Sequence, residues 1–205
     1  MKKIIICNIP MKEDTYKCKY QSEDLSLPTS EMEVVYPINA FLEKTLNAED
    51  ELKVILLVKK DQYRHYEKNA EDFKAEFLDA NKEIGAKCEF KVIDTEFSEE
   101  QAIHEQLMSK IVDEIEDDCH ILADITYGPK DLPVVLFSAL SFAEKFLGCD
   151  IDNIIYGQSN FVDGKPVNTK IWDMVPLFYL NTVTNTIHCD TSDKARKALK
   201  SLLSL

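Results

Sequence analysis

Two polar loops carry the residues whose types and spacing suit chemistry. One is the segment 8–16 (NIPMKEDTY), which follows the apolar run 3–7 (KIIIC). The other is the segment 124–133 (DITYGPKDLP), which overlaps the end of the apolar run 119–125 (CHILADI). In open parallel sheets, ligands bind beyond the carboxyl ends of the strands, where the strand order reverses. Both loops are therefore candidates for a small-molecule site.

The second loop has the composition of an anion site. Thr126 offers a hydroxyl, Tyr127 an aromatic face and Lys130 a mobile positive charge. Gly128 permits backbone torsions that other residues avoid, and it lets a ligand approach closely. The loop leads into an apolar helix whose first N–H groups would face the anion. The same stretch also suits an ordinary turn into a helix that begins near Pro133, and both interpretations stay open here.

Alternating strands and helices must position these loops. Apolar runs rich in β-branched residues predict five strands, at residues 3–7, 52–58, 87–93, 119–125 and 151–156. Helical spacing predicts helices at residues 37–46, 66–84, 98–116 and 132–147, the third opened by a capping box of Ser98 and Gln101. Asp163-Gly164 predicts a hairpin, and two helices at 172–184 and 191–203 follow. The predicted fold is α/β and Rossmann-like, with a mainly parallel sheet, helices on both faces, a small β-hairpin and C-terminal helices.

The charge and cysteine content narrow the classes of partner. The net charge is −13 and the arginines are Arg64 and Arg196, which argues against binding of long DNA or RNA. A short anionic ligand remains compatible, because a few N–H groups and one or two lysines can hold it. We find no signal peptide and no apolar stretch long enough to cross a membrane. The six cysteines form no CxxC pair and are predicted to be mostly buried free thiols, so we expect a reduced, cytoplasmic protein without membrane partners.

Three motifs occur in order along the middle of the chain. They are DITYG at 124–128, Leu-Pro at 132–133 and IIYG at 154–157. Together they resemble the CRISPR-associated Rossmann fold (CARF) family of type III CRISPR antiviral systems. The first strand and its loop, with Thr15, Tyr16 and Tyr20, are similar as well, and the resemblance covers roughly residues 1–170.

The resemblance implies a homodimer that binds one cyclic oligoadenylate, a tetra- or hexa-adenylate, across its two-fold axis. Residues 1–170 would be the binding domain, and residues 171–205 a C-terminal helical extension packed on it or on a dimer partner. No metal or cofactor is expected. The expected ligand contacts are Asn8, Ile9, Thr15, Tyr16, Thr126, Tyr127, Gly128, Lys130, Gln158 and Asn160.

The resemblance leaves open what happens to the bound ring. A metal-independent ring nuclease would let a ribose 2′-OH attack the neighbouring phosphate, leaving a 2′,3′-cyclic phosphate. Lys130 would then stabilise the developing charge, while Thr15 or Asn8 orients the 2′-OH. The alternative is a non-catalytic sensor or regulatory domain of, or partner to, a separate effector. A protein-interaction scaffold with an empty crevice is a third interpretation.

The sequence departs from the family pattern at two points. Many relatives carry an arginine soon after the signature glycine, where this chain has Pro129 and Lys130. Lysine neutralises phosphate but lacks the two-pronged geometry of arginine. Neither arginine of the chain is followed by a histidine at the Arg-x4-6-His spacing of the ribonuclease effectors, so we expect no such effector in this chain.

Other candidate sites are weaker. The histidines show no metal-ligand spacing, and CNIPMKED after the first strand lacks the GxGxxG of nicotinamide-binding proteins. Asp72, Glu89 and Lys91 resemble a nuclease pattern only loosely and are predicted to lie on a solvated face. Trp172 and Phe178 are predicted to pack a C-terminal helix on the sheet or on a partner.

Overall fold

The computed structural model describes residues 1–203, within which strands and helices largely alternate. The strands are β1 (Lys2–Asn8), β2 (Glu51–Lys60), β3 (Lys87–Glu96), β4 (His120–Asp124), β5 (Asp150–Val162) and β6 (Lys165–Asp173). The helices are α1 (Pro37–Thr45), α2 (His65–Asn81), α3 (Gln101–Glu114), α4 (Asp131–Phe146), α5 (Val175–Thr186) and α6 (Ser192–Leu202).

One sheet runs through the larger part of the chain, in the strand order β3-β2-β1-β4-β5-β6. The first five strands are parallel, and β6 pairs antiparallel with β5. The chain builds outward from β1 to β3 and then returns to place β4 on the other side of β1. The strand order therefore reverses between β1 and β4, and the predicted α/β, Rossmann-like fold is confirmed.

Helices cover both faces of this sheet. The helices α1 and α2 share a buried cluster with β1 and β2, in which Tyr36, Phe41 and Phe73 meet Ile5 and Leu56. The opposite face is covered by α3 and α4, which pack against each other. Because side chains alternate along a strand, Ile4, Ile6 and Asn8 of β1 point to this second face.

The hairpin is confirmed, with both turn residues, Asp163 and Gly164, at positive φ (50° and 74°). Such torsions at both positions match the turn that joins twisted antiparallel strands. The predicted capping box is wrong, because α3 begins at Gln101 and the Ser98 hydroxyl accepts from Glu100 N instead. The predicted helix 172–184 begins too early. Trp172 belongs to β6, where it pairs with Tyr156, since residues 165–173 continue the hairpin.

The chain divides into two compact units, Met1–Met174 and a second unit that begins at Val175. Within the second unit, Thr191 caps α6 by accepting a hydrogen bond from Lys194 N. Among the described residues, no helix is both long and apolar enough to cross a membrane. The six cysteines are free thiols, and Cys7, Cys119 and Cys149 are buried.

The aromatic cluster under α2 should dominate the stability of the first unit. Phe73 is fully buried, with its ring centroid 4.8 Å from that of Tyr36. We expect Phe73→Ala to lower the free energy of unfolding by about 3–5 kcal/mol, because it leaves a cavity. Leu78→Ala on the same helix, where the side chain is 50% exposed, should cost less than about 1 kcal/mol. Urea unfolding of both variants tests this, and equal losses would contradict it.

Candidate functional site

The candidate site is the crevice at the carboxyl edge of β1 and β4. Two loops border it: residues 9–16, which follow β1, and residues 125–130, which join β4 to α4. Asn69 of α2 fixes the first loop, since its amide donates to Pro10 O (2.8 Å) and Lys12 O (2.9 Å). The second loop is fixed by hydrogen bonds of Asp124, Thr126 and Tyr127, which belong to the motif DITYG.

Asp124, the first residue of DITYG, is a fully buried carboxylate at the end of β4. Its Oδ1 accepts from Thr126 N (2.8 Å) and its Oδ2 from Ile38 N (3.1 Å). Ile38 lies in the first turn of α1, where N–H groups have no partner within the helix. Asp124 therefore caps α1 from another part of the chain. Burial raises the pKa of Asp124 to about 6, against the opposing effect of these hydrogen bonds.

A second buried carboxylate holds the same helix end. Glu76 of α2 accepts from Val35 N (2.7 Å), from Tyr36 N (3.0 Å) and from the amide of Asn39 (3.0 Å). Burial raises the pKa of Glu76, and the three hydrogen bonds oppose the rise. The backbone N–H groups of residues 35, 36 and 38, at the start of α1, thus all donate to carboxylates of the protein. None of the three remains for a ligand.

Tyr127 ties the second loop to the segment before α1. Its hydroxyl donates to Val35 O (2.8 Å), and its ring packs edge-on against Tyr36 at 5.8 Å between centroids. Burial raises the pKa of the Tyr127 hydroxyl, so it stays a neutral donor. The ring rather than the hydroxyl is therefore the part of Tyr127 that a ligand could meet.

Thr126 and Gly157 join the second loop to β5. The Thr126 hydroxyl oxygen accepts from Gly157 N at 2.8 Å. A Cβ at Gly157 would lie 2.3 Å from Cγ of Pro37, so only glycine lets α1 approach the sheet this closely. Gly128 has a φ of +88°, as its predicted torsional freedom requires. The signature residues thus hold β4, β5 and α1 together.

Two adjoining cavities open beside this framework and share Lys12, Thr126 and Tyr127. The smaller has a volume of about 220 Å³, and the larger, on the other side of the second loop, about 370 Å³. Five of the twelve residues that line the smaller cavity are aromatic, and Lys12 Nζ lies 5.9 Å from the centroid of the Phe161 ring. Its aromatic lining residues are Tyr16, Tyr20, Tyr127, Tyr156 and Phe161.

The structure brings some of the predicted site residues together and separates others. Thr15, Tyr16, Thr126 and Tyr127 line the smaller cavity, and Gly128 lines the larger one. The remaining predicted residues lie elsewhere: Asn8 and Ile9 are fully buried, and Lys130 is an exposed residue at the start of α4 that lines neither cavity. Gln158 and Asn160 are exposed on β5, where Gln158 accepts a hydrogen bond from the indole of Trp172.

Lys12, Tyr20, Tyr156 and Phe161 are the cavity residues that the predicted contact set lacks. Lys12 lies in the first loop and Tyr20 shortly after it, where the sequence has no regular spacing that separates inward from outward side chains. Phe161 reaches the cavity only because β5 continues to Val162 and carries the hairpin beside the first loop. The Asp163-Gly164 turn in the sequence could have indicated this position of Phe161, because a hairpin there pairs residue 161 with residue 166.

One cluster has the residue types of a metal site. His104 Nε2 lies 3.2 Å from Asp131 Oδ2 and 3.6 Å from Glu99 Oε2. The ammonium of Lys59, which is almost fully buried, lies 2.9 Å from the same Asp131 oxygen. A metal cation here would have to displace or face that ammonium, so the cluster fits an internal ion pair better than a metal.

The chain matches no protein-family model and no curated protein. The assignment of this site to a ligand therefore depends on its geometry and on the motif resemblance.

Gly157 should be the least replaceable glycine of the site. We expect Gly157→Ala to lower the free energy of unfolding by about 1–3 kcal/mol, because the added methyl overlaps the rigid Pro37 ring. Gln158→Ala, at the next and exposed position of β5, is the matched control and should be within about 0.5 kcal/mol of the wild type. Thermal and urea unfolding measure both, and a neutral Gly157→Ala would contradict the close packing.

Asp124 should contribute more to folding stability in mild acid than at neutral pH. Its pKa is higher in the folded chain, about 6, than the ordinary value of 3.8, so its protonated form favours folding. That contribution is complete below about pH 4 and is lost as the pH rises through about 6, to a maximum of about 3 kcal/mol. Urea unfolding at pH 4.5 and 7.5 should show a larger fall for the wild type than for Asp124→Asn, which cannot titrate. Equal falls would contradict the raised pKa.

Proposed function

We propose that this chain binds a cyclic oligoadenylate in the crevice at the carboxyl edge of β1 and β4, as a CARF-like domain of type III CRISPR defence. The observation that carries the proposal is the aromatic cavity, which lies where strand order reverses and contains one ammonium group. The motifs DITYG and IIYG, which carry the resemblance, lie side by side at its base. The position and the chemistry of the cavity therefore support the same ligand class.

The size and lining of the smaller cavity suit a single nucleobase. Its volume, about 220 Å³, is below the roughly 300–1,000 Å³ typical of cavities for whole small molecules. Stacking of a base on an aromatic side chain stabilises binding by about 1–3 kcal/mol. Tyr16 and Phe161 at the rim and Tyr127 at the base supply such faces. One adenine would enter this cavity while the ring backbone continues into the larger one.

Lys12 is the residue we assign to a phosphate. It lines both cavities, whereas Lys130 lies outside them at the start of α4. An ammonium can neutralise a phosphate without the fixed geometry of arginine, which suits a ligand whose phosphates differ in position. The helix α4 adds the partial positive charge of its N-terminus close to Gly128 and Pro129. This charge distribution fits a short anion, whose few phosphates one ammonium and one helix N-terminus can neutralise.

Ring cleavage is the second candidate function, and one observation favours it. Thr15 and Lys12 line the same cavity, so a hydroxyl-bearing and an ammonium-bearing side chain would both lie near a ribose 2′-OH and its adjacent phosphate bound there. Attack by the 2′-OH would form a bond to phosphorus and break the bond from phosphorus to the 5′-oxygen of the next ribose, and the proton of the 2′-OH would pass through solvent to that leaving oxygen. Lys12 would stabilise charge on the phosphorus-bound oxygens, and Thr15 would orient the 2′-OH. Asn8, buried beneath Gly128, would support the loop instead of touching the ligand.

Binding should depend on Lys12. We expect Lys12→Ala to weaken binding of cyclic tetra- or hexa-adenylate at least about tenfold, the equivalent of 1.4 kcal/mol, because it removes the ammonium from both cavities. The control is Lys19→Ala, since Lys19 lies between the first loop and α1, pairs with Glu31 and lines neither cavity. Isothermal titration calorimetry of both rings measures the effect. Failure of both rings to bind the wild type would exclude the proposed function.

The fate of the ring separates the two candidates. Each ring is incubated with the wild type in EDTA and then analysed by chromatography and mass spectrometry. Linear products with 2′,3′-cyclic phosphate ends, lost in both Lys12→Ala and Thr15→Val, would establish a metal-independent ring nuclease. Binding with the ring intact would make the domain a sensor or regulatory module.

A further inference from the structure

Two buried thiols meet at the amino edge of the sheet. The Sγ atoms of Cys119 and Cys149 lie 3.4 Å apart, and the two residues are 1% and 3% exposed. Cys119 directly precedes β4, and Cys149 directly precedes β5. The next residues, His120 and Asp150, are paired across these two parallel strands. The two cysteine Cα atoms therefore lie one strand spacing apart, roughly 5 Å, which is within the range that a disulfide spans.

The backbone on either side holds the two thiols in this position. Asp118 N donates to Leu147 O (2.9 Å), and Asp150 N donates to Cys119 O (3.0 Å). Gly148 lets the two segments approach closely, since a Cβ there would lie 2.6 Å from Oδ1 of Asp118. A disulfide bond is about 2.05 Å long, so the two sulfur atoms need to approach by about 1.4 Å.

Three other cysteines are placed differently. Cys7 is buried, and its thiol donates to the backbone carbonyl of Asn8 at 3.7 Å. Cys88 lies on β3, which is three strand spacings from β4, about 14 Å, and this is too far for a disulfide with Cys119. Cys189 is exposed and belongs to the second unit. The geometry of a disulfide is therefore met by Cys119 and Cys149.

A cavity at the amino edge of the sheet gives small molecules access to this pair. It has a volume of about 420 Å³, and its walls come from the first residues of β1, β2 and β3 together with Cys119. The described residues that line it do not include Cys149. Cys119 is therefore the thiol that a small molecule meets first, and Cys149 lies behind it.

We propose that Cys119 and Cys149 are a peroxide-sensitive dithiol, and that their oxidation to a disulfide joins the start of β4 to the start of β5. The Cys119 thiolate attacks one oxygen of the peroxide, which breaks the O–O bond and leaves a sulfenic acid and hydroxide. The Cys149 thiolate then attacks the sulfur of the sulfenic acid, and a second hydroxide leaves as the S–S bond forms. The two thiol protons convert the two hydroxides to water, so two thiols and one peroxide give one disulfide and two waters.

The surroundings of Cys119 set the pace of this reaction. Burial and the hydrogen bond with Cys149 raise the pKa of the Cys119 thiol to about 12. The thiolate, which is the reactive form, is therefore a minor species at neutral pH. The pair responds to sustained peroxide and not to a brief pulse.

The disulfide would close the segment between residues 119 and 149, which contains the second loop and α4. A crosslink of this kind restricts the unfolded chain more than the folded one, so it stabilises the fold. The bond lies at the edge of the sheet opposite the crevice. The inference therefore does not depend on whether the crevice binds an oligoadenylate.

Peptide mapping of the whole chain tests the dithiol. The reduced protein is treated with hydrogen peroxide under native conditions, its remaining thiols are blocked with iodoacetamide, and it is digested with trypsin without reductant. Trypsin places Cys119 in the peptide 111–130 and Cys149 in the peptide 146–170, and neither contains another cysteine. We expect mass spectrometry to find these two peptides joined, with the loss of two hydrogen atoms. Absence of the joined pair in a sample whose exposed Cys189 has been oxidised would overturn the inference.

Two variants test the roles of the thiols. In Cys149→Ala the sulfenic acid of Cys119 has no thiol to react with, so dimedone should label Cys119 there and not in the wild type. Cys88→Ala is the matched control, because Cys88 lines the same cavity, and this variant should form the disulfide as the wild type does. Circular dichroism establishes that both variants fold. Equal dimedone labelling of Cys119 in the wild type and in Cys149→Ala would contradict the assigned roles.

Thermal unfolding tests the consequence for stability. The oxidised wild type should have a Tm at least about 4 °C above that of the reduced protein, and dithiothreitol should remove the difference. Cys149→Ala should show no such rise after the same treatment. A Tm that does not rise when the joined peptides are present would refute the stabilisation, whereas the peptide map alone decides whether the dithiol exists.

Discussion

The buried carboxylate of Asp124 is the interaction on which the candidate site depends. A carboxylate without water is costly unless hydrogen bonds replace its hydration. Asp124 obtains those bonds from Thr126 N and Ile38 N, which belong to two distant parts of the chain. The end of β4, the start of α1 and the second loop all depend on this one carboxylate. A change in any of the three would therefore leave polar groups of the others without their partner. Glu76 does the same for the segment before α1.

These hydrogen bonds and close contacts give the residues of DITYG and IIYG a structural role. Asp124, Thr126 and Gly157 direct their polar or close contacts into the framework, and the Tyr127 hydroxyl does so as well. The surfaces left for a ligand are the Tyr127 ring, the first loop and the hairpin. The motifs DITYG and IIYG therefore determine the shape of the crevice more than the chemistry of its lining. Under the proposed function, the choice of ligand would depend on cavity residues outside the motif, such as Lys12 and Phe161.

The fold could be predicted from the sequence, whereas the residues that line the cavities are brought together by contacts between distant parts of the chain. Continuous apolar runs predict strands, and Asp163-Gly164 predicts a hairpin turn, from neighbouring residues alone. The parallel sheet and its hairpin could therefore be derived from the sequence. The capping box at Ser98 failed because Glu100, not Ser98, is the residue that precedes the first turn of α3. Asn8 was predicted to contact the ligand because it is a polar residue after an apolar run. In the structure it belongs to β1, and the alternation of side chains along that strand directs it to the face covered by α4, where it is buried. Lys12 entered no predicted contact set, since the conformation of the first loop comes from Asn69, which lies 57 residues away.

The charge of the chain sets a second constraint on any ligand of this crevice. An anion that approaches a protein of net charge −13 meets long-range repulsion, which the single ammonium of Lys12 reduces only locally. The other positive charge near the cavities is the partial charge at the N-terminus of α4, which begins just after Gly128 and Pro129 of the larger cavity. One ammonium and one helix end can neutralise few phosphates, so the electrostatics of the crevice favour a short anion over a long polyanion.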